Sequence, residues 1–505
     1  MKSSLTFQNL FNSELVRHIE QELILAHQID GYRLMEQAGM AAFKVISDHY
    51  SGARTLSVVT GGGNNAGDGF VLARLAHQAG MDVRIYPVVA PALLKCDALN
   101  AYENYVAAGG TTLPFIPQDF EGTEILVDAL FGTGLDRPVQ GIFLETIIAM
   151  NKFRWDCSEV QSISRHLVSL DVPSGLHANS GSIMGQSIKA DLTVTFITNK
   201  LGLYTGEGPE HTGKVILENL DSNPLLDITR EPSARRLSKP TSPLLPSRSR
   251  SGHKGLYGHV LVVGGDHGMS GSVQITSRAA LRVGAGLVSL VTRSAPTSFD
   301  GLFPEIMTHS TEDPSELEPL LGRATVLALG PGLGKKTWGK AIFDRCLEAH
   351  CFKVIDADAL NLLAENPQPT KNSILTPHPG EAARLLGTTT RDVQNDRFAA
   401  IRALHERFGG TIVLKGSGSI VYDGSAPPCI VSEGNPGMSS GGMGDLLTGI
   451  IAGLIAQGLS LSESAILGTY LHGHAGDLAA DEHGEIGLTA SDLLTFLPLI
   501  INGKI

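Results

Sequence analysis

Short runs of apolar and β-branched residues recur along this chain, and each ends in a glycine-rich or acidic loop that leads into a helical pattern. This alternation is typical of parallel α/β layers, in which a helix follows each strand. Glycine supplies 58 of the 505 residues, which fits many tight strand-to-helix turns. The sequence therefore predicts an α/β fold. We predict strands at residues 56–60, 82–86, 124–128, 166–170, 192–196, 259–263, 287–291, 324–328, 352–356, 373–376, 411–414 and 420–422.

Residues 221–254, which are rich in Pro, Ser and Arg, interrupt this alternation. The segment lacks the periodicity of a helix or a strand, and 505 residues exceed what one hydrophobic core usually supports. We therefore predict a linker at 221–254 between a domain at residues 1–220 and a domain at residues 255–505.

The overall composition excludes several classes of protein. A formal net charge of −12 argues against nucleic acid as a partner, because phosphate backbones are bound by basic surfaces. The five cysteines are odd in number and lack metal-ligand spacing, which suits packing roles in a reducing compartment. No apolar run is long enough for a membrane span, and the N-terminus lacks an apolar signal core. We expect a cytoplasmic protein with no nucleic-acid or membrane partner.

A glycine-rich loop at residues 442–444 precedes Asp445 and an apolar helical run at 446–456. The unpaired N–H groups at a helix start bind phosphate, aided by the helix dipole. Asp445 would lie beside that phosphate, where it could accept a proton from the reacting group or orient it. A Gly-Asp pair before a helix is also a common turn with an N-cap. The loop alone leaves both interpretations open.

Polar loops also follow the strands of the first domain. Residues 61–69 form a glycine-rich loop with Asn and Asp side chains, which could bind phosphate although its spacing is not that of a dinucleotide fingerprint or a Walker motif. Asp128 and Asp171 each close a strand, and with Asn65 and Ser174 their oxygens could surround a cation. Either aspartate could instead be a general base or cap a turn.

Four motifs of this first domain, at residues 34–39, 63–69, 128–135 and 171–175, together resemble the YjeF N-terminal domain of the NAD(P)H-hydrate epimerase family. The resemblance implies a Rossmann-like three-layer domain that interconverts the R and S forms of hydrated NADH and NADPH. It implies that Asn65, Asp128 and Ser174 bind potassium and that Asp171 serves as acid or base. It assigns the substrate to Asn64, Asn65, Ala66, Gly67, Asp68, Gly132, Thr133, Gly134, Leu135, Asp136, Arg137, Pro138 and Asp171. Ala66 stands where the family more often has glycine.

Three loops of the second domain, at residues 264–273, 330–334 and 377–381, follow predicted strands and can converge over a substrate. His378 lies between two prolines, so it is held rigidly; a ligand contact and a structural role both remain open. Residues 415–419 join two predicted strands, as expected for a β-hairpin that donates to nucleotide phosphates.

These motifs, with the loop before Asp445, resemble the ribokinase-like ADP-dependent (S)-NAD(P)H-hydrate dehydratase family. The resemblance implies a second three-layer domain that uses ADP as co-substrate, with Mg²⁺, and has Asp445 as its catalytic residue. It assigns the hydrated dinucleotide to Ser272, Gly332, His378 and Asp445. It assigns the adenine nucleotide to Lys415, Gly416, Ser417, Gly418, Ser419 and Gly444. We also expect a homo-oligomer, a tetramer or larger.

Two residues depart from the dehydratase pattern. Ser272 stands where the family usually has Ala or a similar small residue, and Met443 stands where it has Thr. Methionine lacks a hydroxyl that could contact phosphate, although the backbone amides of the loop persist. We therefore predict retained activity with altered nucleotide affinity.

Two alternatives compete with a bifunctional repair enzyme. A ribokinase-like small-molecule kinase fused to a ligand-binding domain would release phosphorylated substrate, but it leaves the motifs at 330–332 and 376–381 unexplained. A non-catalytic interaction module is the second alternative. The intact set of Asn65, Asp128, Asp171 and Ser174 speaks against it.

Overall fold

The computed structural model describes residues 5–115, 120–155, 164–222, 231–240, 244–293 and 303–505. The chain divides into two compact units, Asn9–Ala234 and Arg235–Ile505, and the second includes the N-terminal residues up to Gln8. Each unit alternates strands with helices, so the predicted α/β class is confirmed.

The main sheet of the N-terminal unit is parallel and has helices on both faces. Its strands are β1 Phe7–Phe11, β2 Thr55–Thr60, β3 Asp82–Pro87, β4 Ile125–Ala129, β5 His166–Leu170, β6 Leu192–Phe196, β7 Asn199–Lys200 and β8 Lys214–Glu218. Its α-helices are Ser13–His27, Gly31–His49, Asn64–Gln78, Cys96–Ala107, Ile142–Trp155 and Gly208–Thr212. Six parallel strands pair in the order β3-β2-β4-β5-β6-β8, and β1 and β7 pair with each other outside this six-stranded sheet.

Side chains on the two faces of this sheet enter two separate cores. Ile125 and Val127 of β4 pack with the helices that precede β4 in the chain, whereas Leu126 between them packs with the helix Ile142–Trp155. Successive residues of a strand point to opposite faces, so the arrangement has three layers. From β2 the next strand, β3, is added on one side, whereas β4, β5, β6 and β8 are added on the other side. The loops that follow β2 and β4 therefore diverge and leave a crevice between these two strands.

The C-terminal unit has a larger sheet of mixed direction. Its strands are β9 Ala234–Leu237, β10 His259–Val263, β11 Leu287–Thr292, β12 Met307–Ser310, β13 Val326–Leu329, β14 Phe352–Ile355, β15 Ser373–Leu375, β16 Thr411–Leu414, β17 Ser419–Tyr422 and β18 Cys429–Val431. Its α-helices are Ser270–Arg282, Glu318–Leu321, Thr337–Leu347, Ala357–Glu365, Pro379–Leu386, Thr390–Asn395, Arg397–Phe408, Met443–Ala456, Leu461–His483 and Ala490–Ile501. The order is β12-β11-β10-β13-β14-β15-β16-β17-β18-β9, parallel up to β16, with an antiparallel hairpin at β16-β17.

The helix Met443–Ala456 lies in the core of this unit. Its sequence is apolar on all sides, and such a helix must be buried. Gly449 and Gly453, one turn apart, face the helix Ser270–Arg282, where a Cβ atom at either position would collide with atoms of that helix. The two helices therefore pack closely, which brings their N-termini together at the crevice between β10 and β13.

Several predicted boundaries differ from the structure. The predicted linker at 221–254 contains the strand β9, in which Arg235 and Arg236 pair with Cys429 and Ile430 of β18. Two adjacent arginines in a four-residue strand give no periodic signal, so the sequence pattern missed it. The predicted domain limits stay a prediction.

The cysteines and the hydrophobic segments were also predicted from composition. Cys346 and Cys429 are buried, as expected for packing residues, whereas Cys96 is exposed and Cys157 lies outside the described residues. Within the described part of the chain, no helix combines the length and the apolar character needed to cross a bilayer.

Candidate active sites

The first candidate site lies at the crevice of the N-terminal unit, after β2 and β4. The helix after β2 begins at Asn64, six residues earlier than the pattern at Phe70 predicts, so residues 64–68 form its first turns and not a loop. Glycine and asparagine are poor helix formers, which hides the start of the helix from sequence patterns. Gly63 is the N-cap and provides no side-chain hydrogen bond, so the amides of this helix start face the crevice without a side-chain cap.

The structure brings together the three residues that the resemblance assigns to potassium. Asp128 is fully buried and accepts hydrogen bonds from the Ser174 amide (2.8 Å) and hydroxyl (2.6 Å) and from Ser169 Oγ (2.9 Å). Asn65 Nδ2 donates to the Phe131 carbonyl (2.9 Å), which lies 3.2 Å from Ser174 Oγ. Burial raises the pKa of Asp128, and the hydrogen bonds from Ser174 oppose that rise.

One atom of this cluster is left without a partner. The Asn65 Oδ1 atom is buried, and it has no hydrogen-bond partner among the described residues. An orphaned buried oxygen is costly unless a ligand satisfies it. The described residues contain no group of three His, Cys, Asp or Glu side chains arranged to hold a metal ion. The cluster instead combines one carboxylate, that of Asp128, with the neutral oxygens of Asn65, Ser174 and Phe131, and oxygen is the ligand type that hard cations prefer.

Asp171 lies beside this cluster in an unusual backbone conformation. Its φ of 65° is in the left-handed region, which residues with a side chain rarely adopt. Its Oδ1 accepts from Lys200 Nζ at 2.6 Å, and its Oδ2 accepts from the Thr133 amide at 3.1 Å. Sequence patterns missed Lys200, although it is the only charged residue in the apolar stretch 192–203.

Two further carboxyl groups interact with this ion pair. Burial raises the pKa of Asp68 well above its ordinary value, and the negative charge of Asp171 adds to the rise. Burial also raises the pKa of Glu20, again with a contribution from Asp171. Three acids and one lysine therefore share this end of the sheet, and Asp68 and Glu20 retain protons more readily than exposed acids do.

The predicted substrate loop at 132–138 is only partly at this centre. Gly132 and Thr133 adjoin Asp171, since the Thr133 amide donates to it and a Cβ atom at Gly132 would lie 2.8 Å from its Oδ2. Gly134 and residues 136–138 are exposed further along the loop.

The second candidate site lies at the start of the helix Met443–Ala456. Gly442 is the N-cap, with a φ of 90° and no side-chain cap, and Asp445 is the third residue of the helix. The interpretation of Asp445 as an N-cap is therefore wrong. Ser272 hydrogen-bonds to the Asp445 side chain, and burial raises the pKa of Asp445 to about 6.

A second group of charges lies next to Asp445, and the sequence analysis assigned a role only to its lysine, Lys415. Lys415 Nζ donates to Asp356 Oδ1 (2.8 Å), Thr448 Oγ1 donates to Asp356 Oδ2 (2.8 Å), and Glu381 Oε2 lies 3.9 Å from the ammonium. Burial lowers the pKa of Lys415, but the carboxylates of Asp356 and Glu381 outweigh it and the pKa is raised. Burial raises the pKa of Glu381 to about 7.

His378 has a structural role and an exposed ring edge. It is the N-cap of the helix Pro379–Leu386, where its Nδ1 accepts from the Gly380 amide (3.0 Å) and its own amide donates to Glu381 Oε2 (2.8 Å). Because Nδ1 accepts, the neutral ring carries its proton on Nε2. Burial lowers the pKa of His378, and Lys415 adds to the effect. The ring therefore offers a neutral N–H donor beside Lys415.

The loops after β10 and β13 bind each other directly. The amides of Gly265 and Asp266 donate to the carbonyls of Pro331 (3.0 Å) and Gly332 (2.7 Å). Gly332 has a φ of 58°, and a Cβ atom there would lie 3.4 Å from the Ser272 Cβ. Ser272, Gly332 and Asp445 therefore form one cluster. The helix after the first loop begins at Ser270, four residues before the predicted start.

Residues 415–419 form the turn of the predicted β-hairpin between β16 and β17. A buried arginine, Arg397, lies behind this turn and donates to the carbonyls of Leu414 (3.2 Å), Lys415 (3.2 Å) and Gly418 (3.5 Å). Gly416 has a φ of 138°, and a Cβ atom there would crowd the Arg397 guanidinium. A Cβ atom at Gly444 would lie 3.3 Å from Lys415 Nζ, so the turn and the start of the helix Met443–Ala456 meet at this lysine.

Each of the two units matches a known protein family. Residues 31–202 match the family model of the YjeF-related protein N-terminus, and residues 260–499 match the model of NAD(P)H-hydrate dehydratase. These matches support the two predicted families and not the kinase alternative.

Relatives match over the whole chain. The chain is 44% identical to the bifunctional NAD(P)H-hydrate repair enzyme of Coxiella burnetii, over 98% of this chain and 99% of that one. It is 38% identical to the enzyme of that name from Escherichia coli, over 97% and 93% of the two chains. A solved structure, an ADP/ATP-dependent NAD(P)H-hydrate dehydratase from Bacillus subtilis, covers 51% of this chain and 93% of its own at 28% identity and a TM-score of 0.46. The chain belongs to the family of bifunctional NAD(P)H-hydrate repair enzymes.

Proposed function

We propose that this chain restores hydrated NADH and NADPH to the normal coenzymes in two steps. The N-terminal unit interconverts the R and S hydrates, and the C-terminal unit dehydrates the S form with ADP, releasing AMP and phosphate. The observation that carries the second step is the half-buried Asp445 carboxylate at an uncapped helix start, between Ser272 and Lys415.

The dehydration needs a better leaving group than hydroxide. Asp445 would accept the proton of the C6 hydroxyl as that oxygen attacks the terminal phosphorus of ADP, and AMP would leave with the electrons of the broken P–O bond. The C6–O bond then breaks, phosphate leaves with its electrons, and loss of the C5 proton restores the ring double bond. The amides of the helix start and Lys415 would stabilise charge on the phosphate.

Each site offers oxygen atoms as ligands for a cation. Asn65 Oδ1, the Phe131 carbonyl and Ser174 would hold potassium next to the Asp128 carboxylate, which would order the substrate loop. Asp356 and Glu381, beside Lys415, would hold Mg²⁺ together with the nucleotide phosphates, where it neutralises charge. ADP as the preferred nucleotide, a cytoplasmic location and a homo-oligomer of four or more chains stay part of this proposal.

An R/S mixture of hydrated NADH, given ADP, Mg²⁺ and potassium, tests both steps at once. Recovery of the near-ultraviolet absorbance of NADH from the whole mixture requires both units. Recovery that stops at the S fraction would refute the proposed epimerase activity. Release of a stable phosphorylated hydrate would refute the proposed dehydratase activity and favour a kinase.

A further inference from the structure

Lys200 is an almost completely buried lysine at the epimerase site. Its side chain is 1% exposed, and its ammonium donates to Asp171 Oδ1 (2.6 Å), Thr195 Oγ1 (2.9 Å) and the Phe196 carbonyl (2.6 Å). An ammonium has three N–H donors, and these three acceptors use all of them. Lys200 therefore has no donor left for a substrate, and any effect it has on the reaction must pass through another residue.

That residue is Asp171, which is held from several directions. Its amide donates to the Val194 carbonyl at 2.7 Å, its backbone is left-handed, and Lys200 and Thr133 each hold one carboxylate oxygen. A backbone in a sparsely populated conformation persists only where its surroundings fix it, and such residues concentrate at functional sites. The position of Lys200 is itself fixed, because β7 pairs with β1 through Lys200 and Phe11.

Several charged side chains surround Asp171. Asp68 and Glu20 interact electrostatically with it, and Glu20 is in turn influenced by Arg17 and Asp97. Lys200 is the cation in direct contact with Asp171. A buried lysine costs several kcal/mol unless it is paired, so a position that served only packing would suit Met or Leu better.

We propose that Lys200 is the positioning residue of the epimerase site, where its ammonium supplies the opposite charge to the Asp171 carboxylate and fixes the orientation of that carboxylate towards the C6 hydroxyl of the hydrate. The proposal rests on the proposed role of Asp171. It goes beyond that role because it assigns the orientation of the carboxylate to a residue that does not touch the substrate.

The test replaces Lys200 with Met, which keeps the length of the side chain and removes the charge. Epimerisation is followed chromatographically from purified R hydrate. ADP is left out, so that the dehydratase unit is inactive. In Lys200→Met we expect kcat at neutral pH to fall about 100-fold, while KM changes less than about threefold. The acid limb of the pH profile of kcat should move up by roughly one to three pH units, the range over which an adjacent opposite charge acts. In Lys200→Arg, which keeps the positive charge, the acid limb should lie at the same pH as in the wild type.

Two controls separate this role from a structural one. Lys189→Met removes a partly exposed lysine of the same unit, paired with Glu210, and should leave the rate and the pH profile of epimerisation unchanged. Lys200→Ala should regain activity with added ethylammonium, which a misfolded unit cannot do. A lower rate with an unmoved acid limb and no amine rescue would overturn the proposal, as would a wild-type rate in Lys200→Met. If the wild-type chain itself fails to interconvert the hydrates, the proposed function fails instead, and the two failures are distinct.

Discussion

Replacing Asp445 with asparagine is expected to stabilise the C-terminal unit at neutral pH and to abolish dehydration. Burial raises the pKa of Asp445 from 3.8 to about 6, so between these values the folded unit holds a proton that the unfolded chain releases. The stability of the wild type therefore falls as the pH rises through this window. A difference of about two pH units corresponds to about 3 kcal/mol.

Asparagine cannot ionise and avoids this cost. It accepts a weaker hydrogen bond from Ser272 than a carboxylate does, a loss of about 1 kcal/mol. The expected net gain is about 2 kcal/mol at pH 7, and it should disappear near pH 4, where the wild-type carboxyl is protonated in the folded unit. The proposed role of Asp445 as proton acceptor requires the ionised carboxylate, so the wild-type dehydration rate should also fall below about pH 6.

The measurement needs a probe confined to one unit. The chain has two tryptophans, and Trp155→Phe leaves only Trp338, which is buried in the C-terminal unit. Its fluorescence in urea gives the free energy of unfolding of that unit at pH 7 and pH 4, with the exposed Asp481→Asn as a matched control. If Asp445→Asn lowers this free energy equally at both pH values, or if dehydration survives, the reasoning about Asp445 is refuted.

Three further substitutions test other parts of the two sites. Asn65→Ala removes the orphaned oxygen and should raise the potassium concentration needed for half-maximal epimerisation at least about tenfold; an unchanged potassium titration would contradict the site. Arg397→Met removes the donors behind the turn 415–419 and should raise KM for ADP about tenfold with little effect on KM for the hydrate, whereas the exposed Arg391→Met should change neither. Met443→Thr should change the apparent affinity for the nucleotide, and because Met443 is buried it should also cost about 2 kcal/mol of stability; an unchanged nucleotide titration would contradict the prediction from sequence.

The sequence predicts strands well where a buried parallel strand leaves a continuous apolar run. β5, β6, β10 and β16 have the predicted bounds, because each lies inside a sheet covered on both faces. The helix starts at Asn64 and Ser270 were missed because glycine and polar residues in a first turn resemble a loop. Ligand-binding helices need such residues, so function itself hides these boundaries.

The charged partners within the sites were the harder part to predict. The motifs supplied Asp171, Asp445 and Lys415, since each belongs to a glycine-rich segment. Asp356 lies 59 positions from Lys415, and Lys200 lies 29 positions from Asp171. No local pattern records such pairs, because the sheet topology alone brings them together.

The glycine contact between the helices Met443–Ala456 and Ser270–Arg282 has a mechanical consequence. With Gly449 and Gly453 against the backbone of the neighbouring helix, the two helices have little room to slide or separate. The pair behaves as one stiff block that carries Asp445 and Ser272 at a fixed spacing. Such a block would present the Asp445 carboxylate and the Ser272 hydroxyl in the same geometry to the hydrates of NADH and of NADPH.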